Sequence, residues 1–99
     1  MAHKIKVSRR FESERAKTYR YIALQWGFLV ADEFADQLDA KIKQLQKHPL
    51  FGSPSSKNPT IRRAIVSKHT KMYYRVLKTH ITIMDLIDMR KDPQKNKYE

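Results

Sequence analysis

The chain has no cysteine and only two glycines among its 99 residues. Without cysteine it can form neither disulfide bonds nor thiolate metal sites. Its first fifteen residues, MAHKIKVSRRFESER, lack the apolar stretch of a secretory signal. No apolar run approaches the roughly 20 residues that a membrane helix needs. We therefore expect a soluble protein of the cytoplasm.

Acidic residues are absent from a long central block. Between Asp39 and Asp85 there is no Asp or Glu, although the chain carries 21 Lys and Arg and a formal net charge of +11. The positive electrostatic potential of such a block attracts phosphate backbones or acidic proteins. A solvated basic surface without a specific partner is the plainer alternative. The four histidines show no metal-ligand spacing, so we expect neither a metal nor another cofactor.

The apolar pattern predicts one small domain over residues 1–99. Residues 4–9 alternate apolar and basic side chains, as a short strand does. Two helical patterns follow, over residues 11–26 and from about Phe28 to Lys47. Gly27 separates them, and Pro49 ends the second. So short a connection predicts an antiparallel helical hairpin, with Trp26, Phe34 and Leu38 facing a sheet.

Three more strands are predicted over residues 61–67, 71–77 and 81–87, followed by a flexible polar tail over about 91–99. The last strand is apolar on both faces, which is typical of a central position. Of the adjacent Tyr73 and Tyr74, alternation places one in the core and one on the surface. The whole pattern predicts an α+β fold of order β-αα-βββ, with the helical hairpin on a four-stranded, mainly antiparallel sheet.

Five features occur in one order along residues 4–93. They are the β-αα-βββ order, the WG of the hairpin, the spacing FxxxLxxxIxxLxxxP, the run IRRAIVSKHTKMYYRV, and LIDMRKDP. Together they resemble the RelE/ParE toxin superfamily of bacterial type II toxin–antitoxin modules. The resemblance implies a growth-inhibiting, plasmid stabilisation-like toxin, wrapped by the acidic C-terminal segment of a neighbouring antitoxin. RelE-like members cut mRNA in the ribosomal A site, and ParE-like members poison DNA gyrase.

Metal-free RNA cleavage needs a general base, a general acid and cations for the charge on phosphorus. The resemblance to the nuclease branch would give the cation role to Arg63, Arg75 and Arg90. It would give the acid role to Tyr98, with Tyr74 and His69 as alternatives. However, the close arginine-to-tyrosine ending of that branch is absent, and no predicted element holds Tyr98. These departures argue against the nuclease role.

The ending IDMRKDP resembles the DxRxxP ending of ParE-like members, and a gyrase poison needs no catalytic acid. A ParE-like toxin, acting on gyrase or an unknown target, is therefore favoured over a ribosome-dependent mRNA endonuclease. A general RNA-binding domain ranks last, because no RNA-binding motif is present. For Arg75, pairing with Asp85 or Asp88 is a purely structural alternative. The residues predicted to bind the antitoxin or the target are Arg62, Arg63, Lys68, His69, Lys71 and Arg75.

Overall fold

The computed structural model describes residues 3–91 and 97–99. The elements in these ranges are β1 (Lys4–Val7), α1 (Arg9–Trp26), α2 (Phe28–Lys47), β2 (Ser53–Pro54), β3 (Arg62–Ser67), β4 (Thr70–Val76) and β5 (His80–Asp88). The strands form one sheet of order β1-β5-β4-β3-β2, in which β1 is parallel to β5 and the other neighbours are antiparallel. The α+β class and the interior position of β5 are confirmed.

The sheet has five strands rather than the predicted four. The additional strand, β2, is two residues long and pairs with Arg62 and Arg63 at the edge. It lies in a Pro- and Ser-rich stretch without apolar alternation, so its sequence gives no strand signal.

The helical hairpin is defined by two local signals. The Ser8 hydroxyl accepts a 3.0 Å hydrogen bond from the backbone N–H of Phe11, which caps the start of α1. Gly27 is the only residue between the helices, and its φ of 95° with ψ of 169° belongs to a region that is open essentially to glycine. These signals fix where the first helix begins and where the chain reverses.

The main core lies between the hairpin and the sheet. Phe34 and Leu38 of α2 are 4% and 1% exposed, as predicted. Trp26 is 49% exposed, so the prediction that it faces the sheet was wrong. It is the last residue of α1, and its ring packs against Tyr21 and under the guanidinium of Arg90 instead. The side chains of the core cluster are Phe11, Ile22, Ala31, Phe34, Leu38, Leu45, Ala64, Val66, Met72, Tyr74, Ile81, Ile83 and Leu86.

A second apolar cluster covers the opposite face of the sheet, which we call the far face. It contains Ile61, Tyr73, Ile87 and Tyr98. Tyr73 and Tyr74 belong to different clusters, in agreement with the predicted alternation, yet both are fully buried. The prediction that one of them lies on the surface was wrong, because Tyr98 covers Tyr73.

A bulge in β5 changes which residues face the helices. Tyr73 pairs with Asp85, whereas the next residue, Tyr74, pairs with Ile83, so Met84 is the extra residue. The Met84 carbonyl accepts a 2.7 Å hydrogen bond from the Ser8 hydroxyl. The bulge turns Asp85 onto the far face.

None of the helices in the described ranges is long and apolar enough to span a bilayer.

Candidate binding face of the sheet

The far face brings together three of the four residues predicted for RNA cleavage. Arg63 of β3 pairs with Tyr73 of β4, and Arg75 lies two residues further along β4, so all three point the same way. The ring of Tyr98 stacks on Tyr73, with the ring centroids 4.2 Å apart and the planes at 19°. Arg63, Arg75 and Tyr98 therefore share one surface.

Tyr98 is held by a buried carboxylate. Its hydroxyl donates a 3.0 Å hydrogen bond to Oδ2 of Asp85, and Nε of Arg10 donates a 2.7 Å bond to the same oxygen. Asp85 is fully buried, and its Oδ1 accepts a 2.8 Å bond from the backbone N–H of Leu86. The expectation that no element would hold Tyr98 was wrong. A buried carboxylate must be paired, and these three donors pair it.

The position of Tyr98 bears directly on a role as general acid. Burial, reinforced by the negative charge of Asp85, raises the pKa of the Tyr98 phenol far above its ordinary value. A general acid must reach the leaving oxygen and give up its proton in the transition state. In this structure the proton of Tyr98 is directed at Asp85 and is held more tightly than in water.

Residues 97–99 cross the far face toward the sheet edge. The Ser55 hydroxyl donates to the Tyr98 carbonyl, which also accepts a 3.4 Å hydrogen bond from the Lys57 N–H. Nη1 of Arg63 pairs with the Glu99 carboxylate, and its Nη2 donates a 3.0 Å bond to the Ser53 hydroxyl. The segment thus contacts β5, β4, β3 and the loop between β2 and β3.

Arg75 is incompletely paired. Its Nη2 lies 3.5 Å from the Thr60 hydroxyl, the limit of a hydrogen bond. Its Nε is buried and has no hydrogen-bond partner among the described residues. The alternative that Arg75 pairs with Asp85 or Asp88 was wrong, since other donors hold both carboxylates.

Arg90 lies on the helix side of the sheet, beyond the end of β5. Its guanidinium donates to both carboxylate oxygens of Asp88, with bonds of 2.7 and 3.1 Å. The Thr70 hydroxyl donates a further 2.7 Å bond. Burial by itself would raise the pKa of Asp88, but the hydrogen bonds from Arg90 and Thr70 together outweigh it and lower that pKa below its ordinary value.

The four residues predicted for RNA cleavage do not converge. Arg75 pairs with Thr82 near one end of β4, whereas Thr70, which pairs with Asp88, lies five residues away on the same strand. At about 3.4 Å per residue, the positions of Arg75 and Thr70 are roughly 17 Å apart. Arg90 follows Asp88 and is on the opposite side of the sheet from Arg63, Arg75 and Tyr98. One phosphate therefore cannot contact both Arg75 and Arg90 in this arrangement.

The residues predicted for partner binding fall into three places. Lys71 joins Arg63 and Arg75 on the far face. Arg62 points to the helix side, where it donates to the Gly52 carbonyl. The turn between β3 and β4 carries the other two, in an open cleft against α2 whose lining is Val30, Glu33, Phe34, Gln37, Ser67, Lys68, His69 and Arg90.

The other acid candidates are placed differently. The Tyr74 hydroxyl is inside the protein, where it donates to the Pro49 carbonyl and accepts from the Gly52 N–H, each at 2.9 Å. Burial raises the pKa of Tyr74. His69 lies in the turn, apart from the far face. Within the described ranges, no group of three His, Asp or Glu side chains is placed to hold a metal ion.

Asp85 and Arg10 were not among the predicted site residues. Asp85 had a usable signal, because a carboxylate inside the apolar run ITIMDLI must find partners if that strand is buried. Arg10 has none, since it is one of several cations near the start of a helix. Its bond to Asp85 joins residues 75 positions apart.

Comparison with family models decides the family. Residues 5–93 match the model described as the ParE toxin of the type II toxin–antitoxin system, parDE. The chain belongs to the ParE toxin family. This confirms the resemblance to the RelE/ParE superfamily. The chain is a toxin of the ParE/RelE type, which belongs to a toxin–antitoxin module. A sequence search of curated proteins gives no match.

Solved structures of toxin–antitoxin proteins share the fold of this ParE family member. A chain of the chromosomal ParDE system from P. aeruginosa aligns with a TM-score of 0.75 and 18% identity, covering 88% of this chain and 96% of that one. A chain of the E. coli DinJ–YafQ toxin–antitoxin complex aligns with a TM-score of 0.65 and 11% identity, covering 93% and 98%. A mutant of the E. coli toxin RelE in the free state gives 0.63 and 15%, covering 94% and 90%.

Proposed function

We propose that this toxin acts in the cytoplasm without cutting RNA, by poisoning DNA gyrase as ParE-like members do or by blocking an unknown target. The carrying observation is the hydrogen bond from Tyr98 to buried Asp85. It occupies the proton that a nuclease would need to deliver. The separation of Arg75 from Arg90 adds to this, because a phosphate in a nuclease site needs several cations at one point.

We also propose that a cognate antitoxin with an acidic segment neutralises the toxin. The support is electrostatic, since residues 40–84 contain no Asp or Glu and the surface there is basic. An acidic segment would be steered to Arg62, Arg63 and Lys68 and held by charge-assisted hydrogen bonds. The ParDE and DinJ–YafQ structures are toxin–antitoxin assemblies of the same fold, and we extend that pairing to this chain.

A ribosome-dependent, metal-independent mRNA endonuclease is the second candidate. The observation in its favour is that Arg63, Arg75 and Tyr98 share the far face. For this activity Tyr98 would have to leave Asp85 when RNA binds and deliver its proton to the leaving oxygen.

Expression of the chain alone in a bacterial host separates the two. We expect growth arrest with DNA breaks and filamentous cells, intact bulk mRNA, and the same result for Tyr98→Phe, which lacks the phenolic proton. Tyr19→Phe is the matched control, because the Tyr19 hydroxyl also bonds a carboxylate, Asp32, at 2.6 Å, but on the exposed hairpin. In-frame cleavage of translated mRNA that falls about 10²–10⁴-fold in Tyr98→Phe alone would reject the proposal.

A further inference from the structure

The strands of the far face bind the side chains of Tyr98 and Glu99 in the way that a binding site holds a peptide ligand. It offers Tyr73 for stacking, buried Asp85 for the phenolic hydroxyl, and Arg63 for the carboxylate. Ser55 and Lys57 bind the backbone carbonyl between the two side chains. Each of these contacts selects a different chemical group.

Two of the contacts restrict which side chain can bind. A buried carboxylate such as Asp85 favours an aromatic ring with a hydroxyl, because phenylalanine would leave one of its acceptor sites unpaired. The planar guanidinium of Arg63 favours a carboxylate over an amide, since the bond is charge-assisted. Together these two contacts match the side chains of a tyrosine followed by an acidic residue, as in Tyr98 and Glu99.

The internal segment does not satisfy the face completely. Among residues 3–91 and 97–99, neither Oε1 of Glu99 nor Nε of Arg75 on the same face has a hydrogen-bond partner, and both atoms are buried. A carboxylate from a separate peptide, which is not tethered at residue 97, can be positioned to use both arginines. A second ligand can thus compete with the internal one.

We infer that Arg63, Tyr73, Arg75 and Asp85 form a recognition site for a peptide carrying tyrosine followed by an acidic residue, and that Tyr98 and Glu99 occupy this site as an internal competitor. This inference goes beyond the proposed function, because it does not depend on which target the toxin attacks. Occupancy by the tethered segment lowers the apparent affinity for a free peptide by the fraction of time the site is open.

The test is an NMR titration of the full chain with the blocked dipeptide N-acetyl-Tyr-Glu-amide. We expect Tyr98→Ala/Glu99→Gln to bind it at least about tenfold more tightly than the wild type, because the competitor is gone. Glu99→Gln, which keeps the Tyr98 anchor, should shift affinity in the same direction by less. The single variant decides the matter if the double variant does not fold.

Three controls make the result specific. Adding Arg63→Gln to the double variant should abolish the gain. N-acetyl-Phe-Glu-amide and N-acetyl-Tyr-Gln-amide should each bind about tenfold more weakly than N-acetyl-Tyr-Glu-amide. Equal affinity of wild type and both variants would overturn the inference. So would a gain seen only for a single-stranded RNA oligonucleotide, which would make the face a phosphate site. The readout involves no growth arrest, so its failure is distinguishable from failure of the proposed function.

Discussion

The phenol of Tyr98 and the carboxylate of Asp85 form a 3.0 Å hydrogen bond beneath the surface of the far face. Asp85 is fully buried and also pairs with Arg10, so one carboxylate links the start of α1, strand β5 and residues 97–99. The bond stabilises the closed far face, and its removal has measurable consequences.

Tyr98→Phe should lower the free energy of unfolding at neutral pH by about 1–3 kcal/mol, since it leaves a buried acceptor partly unpaired. The loss should shrink at alkaline pH. The pKa of Tyr98 is raised in the folded state, so its contribution is complete below the ordinary value of 10.0 and is lost as the pH rises above it. Urea unfolding of both proteins from pH 8 to 11 measures this, and a gap that widens with pH would contradict it.

Asp88→Asn should be destabilising by about 1–3 kcal/mol at pH 7, because it weakens the bonds to Arg90 and Thr70. The pKa of Asp88 is lowered on folding, so its contribution is present above the ordinary value of 3.8 and is lost as the pH falls below it. Denaturant unfolding of both proteins at pH 7 and at about pH 3 should therefore show converging stabilities. A constant difference at the two pH values would show that the charge of Asp88 is not responsible.

Leu38→Ala should lower the free energy of unfolding by about 2–5 kcal/mol, the range for emptying a packed core position. Leu29→Ala is the matched control, because Leu29 lies on the same helix and is 87% exposed. It should change stability by less than about 0.5 kcal/mol. Thermal or urea unfolding compares the two, and equal losses would argue against the described packing of α2.

Replacing Arg62, Arg63 and Lys68 together with alanine should slow association with the proposed acidic antitoxin segment and flatten its dependence on salt, because in our proposal these cations steer the encounter. Replacing Lys4, Lys6 and Lys17 removes the same charge from outside the acid-free block and should have a smaller effect. Stopped-flow mixing at several salt concentrations gives both rates. If the two triple variants behave alike, net charge rather than the basic strands governs docking.

The sequence by itself determined the fold class and the family. Helical spacing in residues 11–26 and 28–47, a single Gly27 between them, and alternation in the strands are local signals. They depend on residues a few positions apart. The core positions Phe34 and Leu38 follow from the same spacing and are buried as predicted. The family resemblance depends on the same local patterns and on their order along the chain, so it too could be predicted from the sequence.

The far face was decided only by tertiary structure. The bulge at Met84 reverses the alternation of β5, so no period-two pattern shows that Asp85 points away from the helices. Its partners Arg10 and Tyr98 come from distant parts of the chain, and a polar stretch near residue 98 reads as a tail. Short-range periodicity specifies helices and strands, whereas the pairing of a buried charge depends on contacts between residues far apart in the chain. Those contacts bring Tyr98 onto Tyr73, and they separate Arg90 from Arg75.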